Sequence, residues 1–199
     1  ETANGARISI ITRLDRETSG LVLLAVTGER ARQFGEAMQS GGIGKEYTAL
    51  VHGWPSWDER LIDQPIIRQG EVMASEIWLK RCVHPAGAAA RTEVRVEKRF
   101  ERGGERFAVV RACPRTGRTH QIRVHLAHEG HSLVGDKIYG HREGAYLEFI
   151  ETGWTPKLAE ELLLPRHALH ASALEFHDGV ARRRVECRLA ADLAAFVGE

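Results

Sequence analysis

The chain has 199 residues, 43% of them hydrophobic and 28% charged, with a formal net charge of +1. That length holds one large domain or two small ones with a real core, and no apolar run approaches the roughly 20 residues that cross a bilayer. The three cysteines, Cys82, Cys113 and Cys187, are scattered and form no CxxC pair; this sets aside a zinc site and a disulfide framework and fits a reducing, cytoplasmic compartment.

The stretch TRLDRETSG (12–20) sets Asp15 among Arg13, Arg16 and Glu17. If RLD is extended, Leu14 faces the core while Arg13 and Asp15 share the other side. Basic neighbours favour the ionised carboxylate, which suits a nucleophile and disfavours a general acid. Taken alone, this stretch is better accounted for as a solvated charged turn. LVLLAV (21–26) is short and apolar and predicts a buried strand. ERARQFGEAMQ (29–39) predicts a helix that stops at Ser40-Gly41-Gly42. KEYTALVHG (45–53) alternates around Tyr47, Ala49 and Val51, as a half-buried strand does. Tyr47 is explained by packing; as a functional residue it would offer a platform for a nucleobase or a proton-transfer group.

Residues 54–70 carry two prolines and read mostly as loop. Strands are predicted near 75–83 and 91–100, joined by HPAGAAA (84–90), and RFAVVRAC (106–113) forms a hairpin with the second of them through Gly103-Gly104. From Arg91 to His125 there are ten Arg or Lys against four Glu, and from Arg111 to His125 four Arg and no acid. This local excess suits phosphate recognition, or a plain solvated basic face.

THQIRVHLAHE (119–129) predicts a helix with Thr119 as N-cap and Gly130 as stop. Gly117 frees the backbone before it, and Arg115 and Arg118 flank a helix start that could hold an anion. Arg123 lies one turn in, on the face of His120. A metal is disfavoured, because His120 and His125 are about 140° apart around a helix and no HExxH occurs. Trp54, Trp57, Trp78 and Trp154 are read as packing residues. A short helix is predicted at 156–163, with Pro156 in its first turn, and two strands at 167–189 turn at Asp178-Gly179. Strands outnumber helices, so the class is α+β with a mainly antiparallel sheet.

Taken together, RLDRETSGLVLLA, KEYTALVHG, RTGRTHQIRVHLAHEGHSLVGDKIYG and RHALHASALEF resemble, in order, the RluA-type pseudouridine synthases. The resemblance implies a long, curved, mostly antiparallel sheet flanked by helices, with structured RNA in a central basic cleft. It implies isomerisation of selected uridines, with large-subunit ribosomal RNA the commonest target and transfer RNA the next, without a cofactor or metal; the oligomeric state is left open, with a monomer as the default. Asp15 falls on the catalytic aspartate and Arg13 on the arginine that helps displace the base. Tyr47 falls on the active-site tyrosine and Arg123 on the basic partner of the aspartate. Arg16, Arg115, Arg118 and His120 are expected on the RNA surface, and the loops 54–90 and 141–165 are expected to set the choice of RNA. Two departures stand out. Thr12 replaces the family's usual histidine, and the chain starts close to Asp15. Residues 1–199 are therefore expected to be a single catalytic domain without its first strand or an upstream RNA-binding domain. The competing readings are an RNA-binding module that has lost catalysis, and a retaining glycoside hydrolase. The second needs another carboxyl near Asp15, and Glu17 is too close along the chain.

Overall fold

The computed structural model describes residues 8–140, 142 and 144–198. In chain order its elements are β1 (Ser9–Ile10), β2 (Ser19–Gly20), β3 (Leu24–Ala25), α1 (Gly28–Gln39), β4 (Gly44–His52), β5 (Glu59–Asp63), β6 (Ile66–Arg68) and a 3-10 turn (Gln69–Glu71). There follow β7 (Arg81–Val83), β8 (Arg91–Arg102), β9 (Glu105–Pro114), α2 (Gln121–His128), α3 (Ala145–Thr152), α4 (Pro156–Leu162), β10 (Leu169–His177), β11 (Arg182–Glu186) and α5 (Ala191–Val197). One sheet runs β11-β10-β4-β9-β8-β5, with β2 lying against β10. All its pairings are antiparallel except β2–β10. Two further ribbons, β1–β3 and β6–β7, stand apart from it. The predicted α+β class and antiparallel sheet are what the chain forms.

The sheet is covered on both faces, and this explains β4. Ala49, Leu50 and Val51 are all fully buried, so β4 is a central strand rather than the half-buried one predicted. Ala49, Val51, Ala108 and Val110 pack with Ile122 and Leu126 of α2 on one face; Leu50 and Phe107 pack with Leu193, Phe196 and Val197 of α5 on the other. The β8–β9 hairpin turns as predicted, with Gly103 and Gly104 both at positive φ, +60° and +82°, as a two-residue turn of matching twist requires.

Several predicted elements differ. LVLLAV is not a buried strand: only Leu24–Ala25 pairs, with β1, and Val22, Leu24 and Val26 are exposed while Ala25 is buried. The run is a ribbon with one face on α1, where Ala25 meets Phe34 and Ile43. The 54–70 loop contains β5 and β6. The strand near 75–83 shrinks to β7, three residues long. Helices α3 and α5 were not predicted. His141 and Glu143, in the loop expected to help choose the RNA, lie outside the described residues, as do 1–7 and 199.

Candidate active site

Asp15 sits in an irregular turn, not in a strand, and the turn is tied down from several sides. The Asp15 carbonyl accepts from Thr18 N–H at 3.0 Å. Thr18 and Ser19 hydroxyls meet His167 Nε2 at 2.7 Å and His170 Nδ1 at 2.9 Å. Lys137, buried, donates to Glu17 at 2.7 Å and to the Pro165 carbonyl at 2.6 Å. The Leu21 N–H donates to Ala171 O at 3.0 Å. Thr12 is also buried, and its hydroxyl accepts from Leu23 N–H at 2.9 Å. The threonine that departs from the family pattern therefore closes the base of the loop. Glu17 is turned away into its pair with Lys137, which removes it as a second carboxyl beside a sugar.

Strand register carries this loop to Tyr47. Gly20 is paired with Ala171, Ala171 with Tyr47, and Tyr47 with Ala112. A bulge falls just beyond, between Ala171 and Ala173; such bulges bend a strand and re-aim its neighbours. Burial, and then the charge of Asp15, push the Tyr47 phenol up to about 12. It is a neutral O–H donor at ordinary pH.

Arg123 reaches Asp15 from α2, with Nη1 3.3 Å from Oδ2. Its stronger partner is Asp136, which accepts from Nε and Nη2 at 2.8 Å each and from the Ile138 and Tyr139 N–H groups. Burial alone would raise the Asp136 pKa; the Arg123 charge and these hydrogen bonds outweigh it and hold the group at about 2. A two-pronged, charge-assisted pair of this kind fixes the guanidinium plane.

His120 is not on the helix face of Arg123, as predicted. It is the residue before α2, in the left-handed region at φ +57°, and neither it nor Thr119 caps the helix through its side chain. A non-glycine residue there needs support, and His120 has it. Its Nδ1 lies 2.8 Å from the Tyr139 hydroxyl, which itself accepts from Arg81 N–H at 2.9 Å. The hydroxyl is therefore assigned as donor to Nδ1, leaving the ring proton on Nε2. That nitrogen faces Asp15 Oδ2 at 3.9 Å. Burial, then the Arg123 charge, lower His120 to about 4, so the ring is neutral. His120 belongs to the interior of the site more than to an open RNA surface.

Asp15, Tyr47, Arg123, His120, Arg13 and Arg118 all line one cavity of about 300 Å³. Leu14 lines it too, half-buried, rather than entering the core. Arg16 is exposed and does not line it. The basic stretch proves to be mostly neutralised. Arg91 pairs with Asp63, Arg95 with Glu59, Arg99 with Asp58, Arg106 with Glu101 and Arg111 with Glu97. Arg115, expected on RNA, is held by Glu93 through two hydrogen bonds of 2.8 and 2.6 Å. Arg118 is different: its Nε donates to the Ala89 carbonyl at 3.1 Å, and no carboxylate among the described residues pairs with it. Arg13 also keeps its charge unpaired among the described residues. Sequence reading thus named residues that line one cavity and overcounted their free charge, because cross-strand acids were invisible. It missed Asp136 and Tyr139 as site residues, although both stand in the quoted GDKIYG, and it read Trp78 as packing where the side chain is 73% exposed and Arg68 lies 3.7 Å over its ring.

Known proteins share this fold and part of this sequence. The model of the RNA pseudouridylate synthase family matches residues 1–128. The ribosomal large subunit pseudouridine synthase D of Haemophilus ducreyi is 33% identical over 187 residues, covering 91% of this chain and 51% of that protein. The tRNA pseudouridine synthase C of Salmonella typhimurium is 31% identical over 175 residues, covering 86% and 63%. The solved structure of human RNA Pseudouridylate Synthase Domain Containing 1 superposes with a TM-score of 0.74 at 25% identity, over 95% of this chain and 73% of that one. The pseudouridine synthase fold is therefore the fold of this chain, which spans about half the length of the first curated relatives it matches.

Proposed function

This chain belongs to the RNA pseudouridylate synthase family, and from that premise we propose that it isomerises selected uridines to pseudouridine in structured RNA, large-subunit ribosomal RNA first. The observation that carries the reading is the contact of Arg123 Nη1 with Asp15 Oδ2 at the wall of a cavity that Tyr47 also lines. A binding module has no need of a carboxylate there, since a negative charge repels phosphate.

In this reading the target uridine leaves its stack and enters the cavity, as bases do in other base-modifying enzymes. The Asp15 carboxylate attacks the sugar at C1′ and displaces uracil through N1, or removes a sugar proton to give a glycal-like intermediate. The uracil turns, and C5 bonds to C1′ as the Asp15–C1′ bond breaks and frees the carboxylate; on the glycal route C5 adds at C1′ as Asp15 returns the sugar proton. The C5 proton then departs and N1 is protonated. Atoms and electrons balance without an oxidant or a second substrate. Arg123 aims the carboxylate, Tyr47 offers the uracil an aromatic face and an O–H, and Arg13 helps move the base. Arg118 contacts the RNA backbone. Ribosomal RNA is preferred because several of the relatives it matches are ribosomal large subunit pseudouridine synthases C and D. The chain is read as a monomer in a reducing cytoplasm, in keeping with three free cysteines; among the described residues no helix is long and apolar enough to cross a membrane.

The test is to incubate the protein with ribosomal and transfer RNA fractions from a synthase-deficient strain and map pseudouridine. New pseudouridine in the ribosomal fraction is expected. Product in the transfer RNA fraction alone overturns the substrate, and product in neither overturns the enzyme reading. Asp15→Asn should abolish product and keep RNA affinity within about tenfold.

A further inference from the structure

Two cavities meet at Lys45. The first holds Asp15; the second, of about 350 Å³, lies beyond it. The two share Met38, Lys45, Pro114, Thr116 and Gly117 as a common wall. Lys45 stands near the start of β4, two positions before Tyr47 and so on the same side of the strand. Its ammonium reaches the Gly117 backbone, where an added Cβ would lie 3.6 Å from Nζ.

Among the described residues the Lys45 side chain has no ion pair and no hydrogen bond. It is half-buried, and burial alone lowers its pKa from the ordinary lysine value, with no carboxylate opposing the shift. Its chain neighbour Glu46 is engaged by Arg111 and Arg184. Taking an ammonium out of water without an anion is unfavourable, and this one faces two open cavities. The other cations around the second cavity are already neutralised: Arg115 by Glu93, Arg182 by Glu175, and Arg184 by Glu175 and Glu186. Among the described residues Lys45 is thus the free positive charge on the wall that the two cavities share. The second cavity adds the apolar side chains of Ile43 and Met38 and the open backbone of Gly41 and Gly117, and its size is that of a small-ligand site.

A uridine in the first cavity is joined to its neighbours by phosphodiesters, so a chain continuing through the second cavity would carry one past Lys45. We propose that the second cavity receives the nucleotide adjacent to the target uridine and that Lys45 binds the phosphate between them. The proposal rests on the RNA-modifying reading of the Asp15 cavity and adds a specificity subsite to it.

The test is a binding cycle in an Asp15→Asn background, so that nothing turns over. The probe is a short fluorescent adenosine oligomer with one central uridine, at one fixed salt concentration. Three forms are compared: all phosphate, a neutral methylphosphonate on the 5′ side of the uridine, and one on the 3′ side. Lys45→Met is expected to weaken the all-phosphate oligomer about tenfold. It should weaken one of the two methylphosphonate oligomers by less than about twofold. Lys45→Arg should bind within about threefold of lysine, and equal melting temperatures show that Lys45→Met is folded. An equal effect of Lys45→Met on all three oligomers, or none on any, overturns the phosphate contact. An abasic neighbour on the sensitive side that binds as well as adenosine overturns occupation of the second cavity. These readouts involve no product, so they are separate from the pseudouridine assay, whose failure would sink the isomerase reading instead.

Discussion

Asp136 grips Arg123 by two hydrogen bonds of 2.8 Å, from Nε and Nη2. This closes one edge of the guanidinium and leaves Nη1 directed at Asp15. The catalytic candidate is therefore aimed by a cation that is itself held by a second, fully buried carboxylate. Asp136 also accepts two backbone N–H groups from the turn that carries Tyr139, and Tyr139 holds His120. One carboxylate orients both the arginine and the histidine that face Asp15.

Removing the Asp136 charge should loosen that assembly. Asp136→Asn leaves Arg123 buried with half its pairing gone, and breaking a buried pair in this way costs roughly 3 kcal/mol or more. Because Asp136 lies away from the cavity wall, RNA affinity should hold while turnover falls, by about a hundredfold for a misaimed carboxylate. Urea unfolding with a comparison of kcat and KM checks this. A variant of unchanged stability and kcat would mean that Arg123 needs no second carboxylate.

Acid should destabilise the protein before most carboxylates titrate. His120 and His167 are held neutral by burial, at about 4 and about 3 against an ordinary value of 6.5. His125 and His170 are lowered in the same direction, again by burial first. A histidine depressed by folding takes up its proton more readily when unfolded. Its contribution is thus complete above pH 6.5 and is lost as the pH falls toward the folded value. Asp136, held at about 2 against 3.8, adds its own loss at lower pH still. The urea midpoint should drop steadily below pH 6.5 in the parent, and His167→Gln should flatten that slope while lowering stability at neutral pH. A parent midpoint that stays level to about pH 4.5 contradicts the buried neutral state.

How much of this was legible in the sequence depended on whether the signal was local. Turn chemistry was readable: Gly103-Gly104 in the hairpin and Pro156 at the start of α4 act as their residue types require, whereas the cap expected at Thr119 did not form. Asp15, Tyr47, Arg123, Arg13, Arg118 and His120 were found as a group and do share one cavity. What failed was non-local. LVLLAV reads as buried until one sees that it forms a two-stranded ribbon with nothing over its outer face among the described residues. β5 was hidden because four of its five residues are exposed and only Ile62 is buried. Arg115 looked free because Glu93 faces it from a neighbouring strand. Lys45 looked ordinary because nothing in its own segment shows that it lacks a partner.

That contrast between arginines gives a direct comparison. Arg118 has no carboxylate partner among the described residues and lines the cavity, whereas Arg115 is closed by both oxygens of Glu93. If Arg118 neutralises one phosphate, Arg118→Ala should reduce the slope of log affinity against log salt by about 0.7–0.9. Arg115→Ala should change the slope by much less, since Glu93 is then freed as Arg115 is lost. Equal slopes for the two variants, measured by titration over a salt series, would remove the distinction drawn from their ion pairs.

Gly20 should be the least replaceable residue of the Asp15 loop. It sits at φ +111°, and a Cβ there would overlap the Ala171 carbonyl and lie 2.6 Å from the Ala171 nitrogen. Both obstacles are backbone in a paired strand, so neither can move aside cheaply. The short parallel pairing of Ser19–Gly20 with His170–Ala171 is what seats the loop, and the Thr18–His167 and Ser19–His170 bonds depend on it. Gly104 provides the control, with φ +82° but nothing within 4 Å of an added Cβ. Gly104→Ala should therefore cost only the backbone strain, about 1–2 kcal/mol, and leave activity intact. Gly20→Ala should cost more than that and lower kcat as well, because the carboxylate of Asp15 moves with its loop. Thermal melts and single-turnover rates on the two variants separate these effects, and equal behaviour of both would show that the Asp15 loop does not need the close approach at Ala171.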